Sequence, residues 1–422
     1  MRNRRSGLTR VEGSGRPALL PLRRMIEQAD KAVDTPFQTA DTPAPGIGSG
    51  MLLRMLVFGT LFAAILLGAT WISAVTWSSF YGTGNIYVIL APMLVTGSFV
   101  PLMFLGFRRR NATLRVLSIV SSTALGFLNF ALFAALACWL VLGAARLAGL
   151  TPDTRALAIV MYGVAAFVSF GGIINAAWLR TTRATVRLPG LPEAWRGRDI
   201  ALVSDVHLGS IRSRAFARRI VARLNHLKPF AVFISGDMFD GPEREPDRVV
   251  QPWAGLTAPA GAYLVSGNHD EFHERAAVLA SLERVGLRVL HNEKVCVEGM
   301  QILGVHDGET RAPLLYAEIL RAMDISPSMP SILLAHQPDS LDIPERAGVS
   351  LQLSGHTHGG QFWPWNLIVS RMYGSFAHGL SRMGNMQVFT SSGAGTWGPP
   401  MRVGTRSEIV LLRLEGARGV TP

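Results

Sequence analysis

The chain has 422 residues, enough for roughly two or three domains, with 49% apolar residues and a formal net charge of +12. Residues 1–200 hold 20 basic and 8 acidic side chains, whereas residues 201–422 hold 21 of each. A nucleic-acid enzyme carries its basic stripe on the functional domain, so the neutral second half argues against a nucleic-acid partner. Two widely separated cysteines, Cys138 and Cys296, exclude a disulfide framework and a thiolate zinc site.

Residues 1–50 are rich in Arg, Gly, Pro and Thr without periodicity and read as a disordered basic tail. Arg4-Arg5 has the form of a twin-arginine export pair, but the first apolar run begins about fifty residues later, too far for a signal peptide. Four apolar stretches follow at about 55–77, 86–107, 116–142 and 156–179. Each is near the ~20 residues that cross a bilayer core, so residues 51–180 are expected to form four transmembrane helices. Arg23, Arg24 and Arg54 precede the first stretch, Arg108, Arg109, Arg110 and Arg115 occupy the second loop, and Arg180, Arg183 and Arg187 follow the fourth. The first loop, "SSFYGTGN", has no charge, and the third carries Arg146, Asp153 and Arg155. Basic loops stay in the cytoplasm. The expectation is a multi-pass inner-membrane protein with its N-terminal tail and everything after the fourth helix on the cytoplasmic side.

Residues 181–199 read as a linker, from the prolines and glycines of "RLPGLPEAWRGRD". From residue 200 to 416 short β-prone runs ("IALVS", "AVFIS", "AYLVS", "SILLA", "SLQLS") alternate with amphipathic helical stretches such as "RAFARRIVARLNHL". That alternation predicts an α/β domain with a mostly parallel sheet. Residues 417–422 form a short tail.

Each of the five runs ends in polar residues: Asp205 and His207; Asp237 and Asp240; Asn268, His269 and Asp270; His336; His356 and His358. Ligands of α/β sheets bind beyond the carboxyl ends of the strands, so these clusters are expected to meet on one rim. Residues i and i+2 of an extended segment point the same way, which makes Asp205/His207 and His356/His358 two-donor clips. Oxygen and imidazole donors suit Mn, Fe, Zn or Ni. Seven donors exceed the needs of one ion, and two divalent ions about 3.5–4 Å apart sharing a carboxylate are the arrangement of hydrolytic phosphoryl transfer. His226, His273, His291, His306 and His378 lack such partners and read as structural or surface groups, with His306 noted as strand-terminal.

The ordered set D-x-H, G-D-x-x-D, G-N-H-D, a single H and G-H-T-H resembles the calcineurin-like metallophosphoesterase superfamily. "GHTHGGQ" and the closing "SSGAGTWGPPMRVGTRSEIVLLRL" resemble its bacterial membrane-associated branch, and the likeness covers about residues 185–415. The resemblance implies a four-layer sandwich of two β-sheets flanked by helices, here preceded by the four-helix membrane region. It implies that Asp205, His207, Asp237 and His358 hold one ion and that Asp237, Asn268, His336 and His356 hold the other. His269 would then face the substrate as general acid or as a cation beside the leaving oxygen, and an ion-activated water or hydroxide would be the nucleophile. Asp240 and Asp270 would orient histidines and ligands.

The substrate is then a phosphate ester or pyrophosphate. Tethering at the bilayer favours a lipid or lipid precursor, and the branch includes hydrolases of nucleotide-linked lipids such as UDP-diacylglucosamine. "QFWPWNLIVSRMYGSF", with Phe362, Trp363, Trp365, Leu367, Ile368 and Met372, would supply an apolar lip for an acyl chain or a core beneath a loop. Two other readings stand beside this one. The first is a cytoplasmic-face phosphodiesterase for soluble nucleotides. The second is a membrane sensor or transporter regulated by the metal domain, which the scarcity of charge in the apolar runs disfavours.

Overall fold

The structure, a computed structural model, describes residues 49–108, 111–243, 245–271 and 275–417. The tail before residue 49, Arg109 and Arg110 of the second loop, His273 and residues from 418 onward lie outside the described residues. The chain divides into the units Met1–Val57 and Phe58–Pro422, and the second contains every contact discussed below.

Four spans are long and apolar enough to cross a membrane: Gly59–Tyr81, Tyr87–Gly106, Ala112–Leu147 and Thr154–Ala177. They are built from α1 (Ser49–Tyr81), α2 (Tyr87–Gly97), α3 (Phe99–Arg108), α4 (Ala112–Leu147) and α5 (Thr154–Ala177). The second span breaks after Gly97, because Pro101 has no N–H to give the Gly97 carbonyl. Helix α4 starts where Asn111 accepts from the Leu114 N–H at 2.7 Å, and α5 where Asp153 accepts from Arg155 and Ala156. Polar side chains clasp the helices to one another. Thr70 meets Thr96 at 2.9 Å, Trp139 Nε1 donates to Thr76 Oγ1 at 3.0 Å, and the Tyr162 hydroxyl donates to the Ser73 carbonyl at 2.6 Å.

Twelve strands follow among the described residues, in two six-stranded sheets. They are β1 (Arg180–Leu188), β2 (Asp199–Val203), β3 (Ala231–Ser235), β4 (Ala262–Val265), β5 (Arg288–Val289), β6 (Glu293–Val297), β7 (Met300–Gly304), β8 (Ser331–Leu334), β9 (Leu351–Ser354), β10 (Gly379–Met383), β11 (Met386–Thr390) and β12 (Glu408–Gly416). One sheet has the order β1-β12-β2-β3-β4-β5 and the other β10-β11-β9-β8-β7-β6. Antiparallel pairs join β12 to β2, β10 to β11 and β6 to β7, and the remaining neighbours run parallel.

The inner strands read as continuous apolar runs because both faces are covered. In β2, Ala201 and Val203 pack outward with Phe216, Ile220 and Leu224 of the helix Arg214–Leu227. Ile200 and Leu202 point inward, where Phe233, Ile302, Ile332, Leu353 and Phe389 from both sheets form the central layer. On the far side Leu303, Leu333 and Val388 meet Tyr316 and Leu320 of the helix Pro313–Ala322. The result is helix, sheet, sheet, helix. The expected single parallel sheet is therefore two mixed ones: β2, β3 and β4 lie in the first, β8 and β9 in the second. The stretch 181–199, read as a linker, carries β1, which pairs with β12 from Arg180 through Leu188, and a 3-10 turn that buries Trp195.

The loops at the carboxyl ends of the strands press against α4 and α5. Arg115 Nε donates to the Ser210 carbonyl at 3.2 Å, and Asn129 donates to the Trp363 carbonyl at 3.1 Å while accepting from Trp365 Nε1 at 3.1 Å. Phe130 faces Phe362 and Phe133 faces Trp363, with ring centroids 6.4 and 4.8 Å apart. A Cβ at Gly172 would lie 2.6 Å from Met401 Cγ and 2.7 Å from Val403 Cγ2, so the side chains of the 401–403 segment pack directly onto the α5 backbone there.

Candidate metal centre

All five strand ends converge, three from one sheet and two from the other. Asp205 is sealed from solvent, and its carboxylate accepts from the His356 N–H at 3.0 and 3.1 Å, which links the first strand end to the last. His207 Nε2 lies 3.1 Å from His358 Nε2 and 3.7 Å from Asp237 Oδ2, and His358 Nε2 lies 3.5 Å from Asp205 Oδ1. A second group forms around Asn268. Its Oδ1 lies 3.1 Å from His336 Nε2 and 2.9 Å from His356 Nδ1, and the same His336 nitrogen is 3.2 Å from Asp237 Oδ2. Asp237 therefore stands between the two groups.

The backbone is bent to make this possible. Asp205, His207, Asp237, His356 and His358 all have φ between 50° and 69°, the left-handed region that side chains other than glycine rarely adopt. Such strain, of order 1–3 kcal/mol per residue, persists where surrounding structure enforces it, and it gathers at functional sites. Two glycines permit the close approach: a Cβ at Gly355 would fall onto the Ser204 hydroxyl and the Asp205 carboxylate, and one at Gly267 onto the Asp237 carboxylate.

The donor set fits a cation. Three groups of donor atoms, Asp205/His207/His358, His207/Asp237/His269 and Asp237/His336/His356, each lie within 4.8 Å of one another. Burial raises the Asp205 carboxyl, outweighing the pull of His336. Burial would raise Asp237 as well, but the charge and hydrogen bond of His336 hold it well below the usual carboxylate range. Two carboxylates so enclosed need positive charge beside them. Burial and the neighbouring His336 press His356 down to about 3, and burial with His207 and Arg402 drives His358 well below its ordinary value. Both rings are then neutral near pH 7, the form that donates a lone pair.

The carboxylates expected to orient ligands divide in two. Asp240 Oδ1 faces His207 Nδ1 at 3.4 Å, long for a hydrogen bond but aimed at the ring atom turned away from the cluster. Asp270 instead accepts from the backbone N–H groups of Met238, Phe239 and Gly267 at 3.2, 2.9 and 2.9 Å, which ties the Asp237 loop to the Asn268 loop. Burial and the nearby Asp237 push its carboxyl up to about 7. His269 donates its N–H to Asp237 Oδ1 at 2.8 Å, and its ring lies edge-on to His207 at 4.8 Å and 6.0 Å from Trp397. Distance alone would admit His269 as a donor.

Of the other histidines, His306 is buried and its Nδ1 lies 3.0 Å from the Ser266 N–H, at the end of β4 next to the cluster. His378 pairs with the buried Glu408 at 3.1 Å, and His291 pairs with Glu283 at 3.0 Å. Phe362 and Trp363 pack on α4, and the helix Trp365–Tyr373 contains no buried side chain, so its Leu367, Ile368 and Met372 are exposed rather than core. A fully buried arginine, Arg402, touches His358 and is absent from the sequence-based site. Its only sequence signal was a cation inside the glycine- and proline-rich "WGPPMRVGT".

Comparison with known proteins identifies the family. The family profile of the calcineurin-like phosphoesterases matches residues 199–360. A metallophosphoesterase of Helicobacter pylori without assigned function is 36% identical over 219 residues, 51% of this chain and 59% of that protein. One from Campylobacter jejuni is 32% identical over 256 residues, 60% of this chain and 68% of that one. A zebrafish transmembrane protein with a metallophosphoesterase domain is 32% identical over 273 residues, 60% and 62% of the two chains. The match thus spans about three fifths of the length of the Helicobacter relative. With a third of the residues shared over most of the Campylobacter protein, and the family profile running from β2 through the His356/His358 clip, this chain belongs to the calcineurin-like metallophosphoesterase family.

Proposed function

We propose that this protein is a membrane-anchored, two-metal phosphoesterase that hydrolyses a phosphodiester or pyrophosphate bond on a lipid or lipid precursor at the cytoplasmic face. The observation that carries the reading is the position of the donor cluster: its rim loops rest on the same helices that are apolar enough to span a bilayer. Asn129, which holds Trp363 and Trp365, is 18 residues from the far end of α4 at Leu147. At 1.5 Å per residue that is about 27 Å, close to the ~30 Å of the hydrocarbon core. By the same measure Phe133, against Trp363, is about 21 Å from that end. The exposed Trp363, Trp365, Leu367, Ile368 and Met372 then sit at headgroup depth or below, where aromatic side chains are favoured.

Asp205, His207, Asp237 and His358 would hold one ion, and Asp237, Asn268, His336 and His356 the other. When bound, the ions supply Lewis acidity towards the phosphoryl oxygens and activate water as nucleophile. The chain's own residues do the rest. His336 and His207 turn Nε2 inward because Nδ1 faces the Ser235 carbonyl at 2.7 Å and Asp240 at 3.4 Å respectively. His269, partly exposed beside Trp397, is placed to give a proton to the leaving oxygen or to stabilise its charge. Arg115 and Arg180 flank the end of the bundle that touches the domain, in keeping with a cytoplasmic orientation.

The test uses the full chain in phospholipid nanodiscs with added Mn(II), assayed against a panel of lipid phosphodiesters and nucleotide-linked lipids beside water-soluble diesters. A marked preference for the lipid members is expected. Equal rates on soluble diesters would favour the soluble-nucleotide reading, and no turnover with any transition metal would end both.

A further inference from the structure

The guanidinium of Arg402 is buried completely, and among the described residues no carboxylate lies within salt-bridge distance of it. A buried charge so placed is costly and needs every hydrogen bond it can make. Nη1 donates to the His358 carbonyl at 3.2 Å, and Nη2 donates to the carbonyls of Ser392 and Gly395 at 2.5 and 2.7 Å. Nε adds a bond to Gly395 at 3.2 Å, and Nη2 also lies 3.2 Å from His358 Nδ1. Two hydrogens on Nη2 go to the two closest carbonyls, so the ring contact is secondary and the main hold is on the backbone.

The loops joined in this way back two of the donors. His358 is one. A Cβ at Gly393 would lie 2.7 Å from Asp205 Cβ, and one at Gly395 would lie 2.7 Å from the Asp205 carbonyl oxygen, so the 392–395 loop is the wall behind Asp205. Arg402 itself is gripped from the membrane side. Its N–H donates to the Gly172 carbonyl of α5 at 3.0 Å, and its carbonyl accepts from Asn175 Nδ2 at 2.8 Å. The same Asn175 nitrogen donates to the Thr405 carbonyl at 2.8 Å. An unbroken run of short contacts therefore joins α5 to Asp205 and His358, whereas His336 hangs on the Ser235 carbonyl and meets Asn268, and His356 touches the first half through its N–H on the Asp205 carboxylate.

We infer that Arg402 is a positioning residue which fixes the Asp205/His207/His358 half of the metal centre to membrane helix α5, so that metal occupancy of that half depends on Gly172 and Asn175. The inference rests on reading the cluster as a two-metal centre. Residues that orient metal ligands without touching the ion typically alter affinity by about 10–100-fold.

The experiment titrates Mn(II) into metal-stripped full-length protein in nanodiscs and follows free Mn(II) by electron paramagnetic resonance. Wild type should bind two ions per chain. Arg402→Lys and Asn175→Leu should each weaken one of the two by roughly 10–100-fold and leave the other unchanged. Asn129→Leu, which removes a comparable helix-to-domain contact away from Arg402, should titrate like wild type. If Asn175→Leu binds both ions as wild type does, or if Asn175→Leu and Asn129→Leu weaken both ions alike, the link through Arg402 is wrong while the metal centre stands. Wild type that binds no Mn(II) would remove the metal-centre reading itself and this inference with it. Should Arg402→Lys fail to fold, judged by its thermal transition, the Asn175→Leu titration decides alone.

Discussion

His336 Nδ1 lies 2.7 Å from the carbonyl oxygen of Ser235, at the end of the strand that also delivers Asp237. A carbonyl can only accept, so Nδ1 carries a proton and the ring is fixed with Nε2 turned to Asp237 and Asn268. Strand β3 thus sets both a central carboxylate and the orientation of a histidine from the other sheet. Asp237→Asn removes the one charge shared by both donor groups. Metal content by elemental analysis and turnover should fall together, with the thermal transition used to show that the variant is folded.

His269→Ala separates chemistry from binding. The ring stands edge-on to His207 and beside Trp397, and its loss should cost about 10²–10⁴-fold in rate, the usual contribution of a general acid, with metal content unchanged. Because His269 also lies within donor distance of His207 and Asp237, the metal measurement is the decisive one. Loss of an ion from this variant would make the ring a ligand.

Much of the site was legible because it is local. D-x-H, G-D-x-x-D, G-N-H-D and G-H-T-H each place their polar residues directly after a buried apolar run, and chain order alone says they share an end of a sheet. That β8 and β9 belong to a second sheet was not legible: β2 and β8 are both apolar runs buried on two faces, and nothing in either names its neighbour. Strand β1 escaped for the opposite reason. "RTTRATVRL" lies on a sheet edge with Arg183 and Arg187 in solvent, so its apolar signal is confined to Ala184, Val186 and Leu188. Arg402 could not be found from local pattern, since its partners, His358, Ser392 and Gly172, are brought to it only by the tertiary fold.

The aromatic segment after the G-H-T-H clip makes a separate claim about substrate. Trp363 packs at a tilt on Phe133, and Trp365 is anchored through Asn129, while both keep about half their surface exposed, at 42% and 50%. Replacing both with serine removes apolar surface that an acyl chain would cover. A buried large apolar side chain contributes about 1.5–3 kcal/mol, roughly 10–100-fold in binding. Kinetics on a lipid phosphodiester in vesicles should show a raised KM, with a smaller change on a water-soluble diester. Equal effects on both substrates would assign the tryptophans to anchoring of the domain rather than to the substrate.

Glu408 gives a prediction about stability that is independent of metal. Its side chain is fully buried at the start of β12, where it accepts from His378, Thr182 and the Ser392 N–H. Burial alone would raise the carboxyl, but His378, then Thr182 and the Ser392 N–H, hold it down at about 2 from an ordinary 4.5. A carboxyl depressed in the folded state adds stability that is complete above its unfolded value and is lost as pH falls through the folded one. At about 1.4 kcal/mol per pKa unit the group contributes on the order of 3 kcal/mol at neutral pH. Thermal transitions of the wild type should therefore drop steadily between about pH 4.5 and 2. Glu408→Gln, less stable at pH 7, should lose less over that interval because it has no proton to take up. Parallel curves for the two proteins would show that the acid sensitivity arises at other carboxylates.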